Sequence, residues 1–96
     1  MDIYNKVVDG TAGSIYWDKE TEISFVEYYQ LLSTKFKKDI DNKYAGMTER
    51  NLVILAMKDM KLTNAAIAKT LNISDGAVRT QISRMNKGTK DDMADE

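Results

Sequence analysis

From about residue 18 the apolar positions fall into register, with Phe25, Tyr29, Leu32, Phe36 and Ile40 recurring at spacings of 4, 3, 4 and 4. At about 100° per residue these side chains share one narrow arc, with Val26 and Tyr28 at its edges. The pattern predicts a long amphipathic helix over 18–46, about 39 Å long if it runs to residue 43. Ile23 and Leu31 lie on nearly the opposite side. The main stripe suits packing on the chain's own core, and a homodimer contact through Phe25, Tyr28, Tyr29, Leu32 and Phe36 is the rival use of it.

"NKYAGMT" ends that pattern, with Gly46 as a helix stop and Thr48 as the N-cap of a second helix over 49–59. That helix offers Leu52, Leu55, Ala56, Met57 and Met60 to a core. After a link of Lys61 and Leu62, Thr63 caps a short helix carrying Ile67, Ala68 and Leu71. Asn72, Ile73 and Ser74 then make a tight turn, and Ser74 caps a last helix over 75–86. Residues 1–17 contain the glycine-bearing DGTAGS and no helical period, so a flexible leader is expected, with a short hairpin over 3–16 as the alternative. The DDMADE end, within 89–96, is expected to be a disordered acidic tail. Proline is absent and strand-like alternation is scarce, which makes the expected fold class all-α: a long N-terminal helix followed by a small helix-turn-helix bundle over 47–88.

Two short helices joined by a three-residue turn, the second free for outside contact, form the helix-turn-helix arrangement. Each of its physical demands has a residue. Ala68 is small where the helices cross, Asn72 tolerates left-handed backbone angles, and Ile73 plugs the corner. Val78, Ile82 and Met85 form the inward stripe of the last helix. Its outward arc holds Gly76, Arg79, Thr80, Ser83 and Lys87, with Arg84 on the shoulder and no large apolar side chain. A glycine at 76 lets the backbone approach a phosphate closely, where first-turn N–H groups meet it. Asp75 suits the helix dipole and repels phosphate; it can also accept from a cytosine amino group.

Charge changes this picture once it is divided along the chain. The net charge is -1, which argues against a nucleic-acid partner. Residues 47–90, however, hold eight basic residues against three acidic ones, between an acidic first part and an acidic tail. Local sign governs contact with phosphates. A surplus of this size is also compatible with an ordinary solvated surface.

The 96 residues contain no cysteine and no histidine. Disulfides, thiolate nucleophiles, imidazole bases and nearly all transition-metal sites are thereby removed, so no metal or cofactor is expected. With no nucleophile–base pair or phosphate-cradling loop, the chain does not read as an enzyme. No apolar run approaches the length needed to span a bilayer, and MDIYNKVVDG lacks the layout of a signal peptide, so a soluble, cytoplasmic protein without membrane contact is expected.

"MTERNLVIL" followed by "LTNAAIAKTLNISDGAVRTQISRMNK" resembles the LuxR-type (GerE-like) DNA-binding domain over residues 47–87. It is similar, more distantly, to region 4 of sigma factors. The resemblance implies four helices, the last but one reading the major groove. By position it puts Arg79, Thr80 and Ser83 at bases, and Thr63, Asn64, Ser74 and Lys87 near phosphates. Lys69, Gly76 and Arg84 complete the backbone contacts expected from the charge pattern and the helix's approach. Asn51 and Ala66 stand where the family has acidic residues, and Gln81 where it often has histidine. "MNKGTKDD" occupies the place of the family's dimerisation helix, leaving the preceding long helix as the substitute. The expected function is a sequence-specific transcriptional regulator bound to double-stranded DNA as a homodimer, with RNA polymerase as a further partner. The alternative is a protein-interaction module that binds polymerase or another regulator through the same fold.

Overall fold

A computed structural model describes residues 2–43 and 46–87, and the side chains of Ser14, Asn86 and Lys87 lie outside that description. Six α-helices follow one another: α1 Asp2–Asp9, α2 Lys19–Leu32, α3 Thr34–Asn42, α4 Glu49–Asp59, α5 Asn64–Leu71 and α6 Asp75–Lys87, with a 3-10 turn Ala12–Ser14 between α1 and α2. There is no strand among the described residues. The fold is therefore all-α, and the hairpin does not form. No helix among these residues is long and apolar enough to cross a membrane.

The helix starts follow from short polar side chains. Asp18, Ser33, Thr48 and Thr63 each take an extended backbone and accept a hydrogen bond from the N–H three residues on, satisfying donors that have no intrahelical partner. The Asp18 carboxyl is held below its ordinary range by its bonds to Thr21. Three helix ends share another device. Gly10, Lys61 and Asn72 adopt positive φ, and the next N–H reaches back five residues, as in Leu62 to the Met57 carbonyl at 3.1 Å and Ile73 to the Ala68 carbonyl at 2.9 Å. These are Schellman ends. Glycine and asparagine tolerate that geometry; Lys61 is a type that does so at a cost and carried no signal of it in the sequence.

The long helix expected over 18–46 is two helices. Ser33 (φ -132°, ψ 102°) ends α2 and caps α3, its Oγ accepting from the Phe36 N–H at 3.1 Å. Serine competes with the helix by offering its own hydroxyl to the backbone, and here the local bond prevails. The apolar stripe survives the break: Phe25, Tyr29 and Phe36 are all buried. Leu32 is left 51% exposed where α2 stops. Those burials also correct the dimer surface, because Phe25, Tyr29 and Phe36 are enclosed by their own chain. Of the five proposed dimer residues, only the half-buried Tyr28 and Leu32 retain accessible surface.

The flexible leader is likewise replaced by structure. α1 lies on α2, with the Tyr4 ring 5.4 Å from that of Tyr28, and Val7, Ala12 and Trp17 are buried. The 3-10 turn rests on α5, where a Cβ on Gly13 would meet the Lys69 carbonyl oxygen at 3.4 Å. The indole of Trp17 donates to the Thr70 carbonyl at 3.1 Å. Ile3 and Val7, and Tyr4 and Val8, stand at helical spacing in α1, a signal overshadowed by the glycine-bearing stretch that follows, and tertiary packing stabilises a helix this short.

α2 lies chiefly on α4. Two polar links join them: the Tyr29 hydroxyl donates to Asp59, and Arg50 Nε donates to the nearly buried Glu22. Burial, then the Asp59 carboxylate, pushes the Tyr29 phenol above its usual range. One core gathers Val7, Phe25, Phe36, Val53, Ile54, Met57, Ile67 and Val78 from six helices.

Candidate nucleic-acid interface

The three-helix part α4–α6 fixes the orientation of α6. Val78 and Met85 are buried and Ile82 is half-buried, so one side of α6 is committed to α4 and α5. The left-handed Asn72 (φ 63°, ψ 42°) ends α5 and turns the chain within three residues. Ser74 then starts α6, its Oγ accepting from the Ala77 N–H at 3.0 Å.

On the outward side, Gly76, Arg79, Thr80, Ser83 and Arg84 line a shallow concavity of ≈ 450 Å³. All three proposed base-contact residues are therefore brought together, with two of the proposed backbone-contact residues. Arg79, Thr80, Ser83 and Arg84 are exposed. Thr63, Asn64 and Lys69 do not line this concavity and sit on or beside α5. Thr63 is engaged as an N-cap, and Asn64 Oδ1 accepts from Lys58 Nζ at 3.2 Å. The Lys87 side chain and the acidic tail lie outside the described residues.

A second concavity of ≈ 440 Å³ adjoins the first through Arg84 and is lined also by Lys43, Thr48, Asn51 and Gln81. Sequence reasoning missed Lys43, Thr48 and Asn51 as surface partners of α6, and Gln81 as the α6 residue beside them. Lys43 follows the break at Ser33, and its position beside α6 depends on how α3 returns across α4. Asn51 and Gln81 drew notice only as departures from a family pattern.

Asp75, unexplained by composition, lies beside Arg79: Arg79 Nη1 is 3.7 Å from Asp75 Oδ2, both side chains remaining largely exposed. Gly76 has no role in packing. A Cβ there would meet only the Ser74 hydroxyl at 4.0 Å, and its φ is not in the left-handed region. Glycine inside a helix costs about 0.5–1 kcal/mol relative to alanine. Gly76→Ala is accordingly expected to raise stability by about that amount in chemical denaturation. If the bare backbone serves close approach to a ligand, the same variant weakens binding while the fold strengthens.

The chain matches no protein-family model, no curated protein and no solved structure at a significant level.

Proposed function

We propose that the protein is a sequence-specific transcriptional regulator that binds double-stranded DNA by laying the outward face of α6 in the major groove, as a homodimer in the cytoplasm. The observation that supports this best is the division of α6. Its inner side is held by the core, while its outer side presents Arg79, Thr80, Ser83 and Arg84 around one concavity without a large apolar group. A partner-binding face for another protein is typically built around aromatic or aliphatic anchors, and this face has none. In this reading Arg79 contacts guanine, Thr80 and Ser83 contact neighbouring base edges, and Gly76 and Arg84 meet the backbone.

One α6 supplies only a few base contacts, whereas specific sites are commonly favoured over arbitrary DNA by about 4–10 kcal/mol. Two copies on a repeated site meet that requirement. The exposed Leu31 (82%) and Leu32 (51%), with Tyr28 nearby in sequence, favour the end of α2 as a surface for a second chain or for polymerase.

Titration of labelled duplex at increasing salt tests the proposal. Each neutralised phosphate contributes about -0.9 to the slope of log affinity against log salt, so a slope steeper than about -2 is expected. Binding saturates at two chains per site. A flat salt response, or no binding to any duplex at low salt, overturns the reading.

A further inference from the structure

The two arginines of the outward face differ in their surroundings. About 100° per residue places Arg79 and Arg84 on opposite flanks of α6, with Gly76, Thr80 and Ser83 between them. Arg84 makes no ion pair among the described residues. Arg79 is paired with Asp75 one turn earlier at 3.7 Å, in the order, acid before base, that a helix favours. Asp75 lies further out on the Arg79 flank, away from the centre of the concavity, on the side where a backbone strand runs when the helix occupies a groove.

Resting on the DNA reading, we infer that Asp75 is a specificity-determining residue that acts through Arg79. Its carboxylate lies 3.7 Å from one guanidinium nitrogen and repels phosphate on that flank. Arg79 is thereby biased away from general phosphate anchoring and toward the base edges, which its other N–H groups can address. A guanidinium offers five donors in a fixed fork, so one side can hold a carboxylate while another addresses the O6 and N7 acceptors of guanine. Arg84, which makes no ion pair among the described residues, supplies the sequence-independent attraction. The flanks of one helix are thus divided between discrimination and anchoring, and a negative charge in a DNA-facing helix acquires a purpose.

The test compares wild type, Asp75→Asn and Arg79→Ala with the double variant on a preferred duplex and on duplexes of scrambled sequence, across a salt series. Asp75→Asn frees one cation for phosphate. Binding to scrambled duplex is expected to tighten several-fold, its salt slope to steepen by about 0.9, and the ratio of preferred to scrambled affinity to fall about tenfold. In the Arg79→Ala background the same substitution is expected to leave the preference ratio unchanged. Loss of a favourable first-turn charge alone would weaken all sequences alike without steepening the slope, and circular dichroism establishes that both variants stay folded. If wild type binds with preference and Asp75→Asn keeps the same ratio and slope, the role of Asp75 is overturned while the DNA reading stands. If wild type binds no duplex, both are overturned together.

Discussion

Phe25→Ala is expected to lower the stability of the whole chain by about 3–5 kcal/mol, a large part of the 5–15 kcal/mol typical of a domain. The reason is the position of the ring. It is fully enclosed, lies 5.5 Å from the ring of Trp17 in an edge-on arrangement, and stands 6.5 Å from that of Tyr4. α1, the segment before α2, and α2 itself meet there, on the helix that covers α4. Removing the ring leaves a cavity that three elements share and cannot close by moving one side chain. Because Trp17 is tied onward to Thr70 in α5, the loss is transmitted to the helix-turn-helix part. Unfolding of α6 and of the N-terminal helices is expected to coincide, with a melting temperature lowered on the order of 15–30 °C. Two separate transitions, or a change within about 0.5 kcal/mol such as an exposed site gives, would contradict a shared core.

The second large effect concerns recognition. Arg79→Ala is expected to reduce discrimination for the preferred base by roughly 5- to 150-fold, equivalent to about 1–3 kcal/mol, since a bidentate arginine is the main source of guanine selectivity in a major groove. Affinity for arbitrary duplex is expected to fall by a smaller factor, through the loss of one cation beside Asp75, whose carboxylate then faces phosphate without its partner. Parallel measurements on preferred and scrambled duplexes check this. Equal losses on both would assign Arg79 to the phosphates instead.

Much of the C-terminal half was legible from residue types alone. Thr48, Thr63 and Ser74 carry the cap chemistry that starts α4, α5 and α6, and Asn72 carries the left-handed turn. These devices are local, so a short stretch of sequence contains the whole cause. The inward and outward faces of α6 were readable for the same reason: a period of 3.6 separates Val78 and Met85 from Arg79, Thr80 and Ser83.

The N-terminal half was less legible because its causes are distant. Ser33 sits inside an unbroken apolar stripe, and periodicity continues across it although the backbone does not. Whether a mid-pattern serine caps or is tolerated depends on the packing of both flanking segments. α1 and the 3-10 turn owe their order to surfaces on α2 and α5 some tens of residues away, which no window along the chain includes. The expected dimer residues fell largely in the core by the same limit. An apolar stripe states that it will be covered and is silent on whether the cover is its own chain; Phe25, Tyr29 and Phe36 turned out to be covered by their own. In the candidate interface, Asp75 drew attention as an isolated charge, although its spacing of four from Arg79 on one helix already pointed to the partner it has.

The central claim, that the outward face of α6 reads DNA sequence, is tested most directly by selecting bound duplexes from a random pool with the wild-type chain and, in parallel, with Arg79→Ala. The wild-type chain is expected to enrich a short guanine-containing motif occurring as a repeat, and the variant to lose preference at that guanine while retaining the rest. Failure of the wild-type chain to enrich any sequence over the starting pool would contradict the claim.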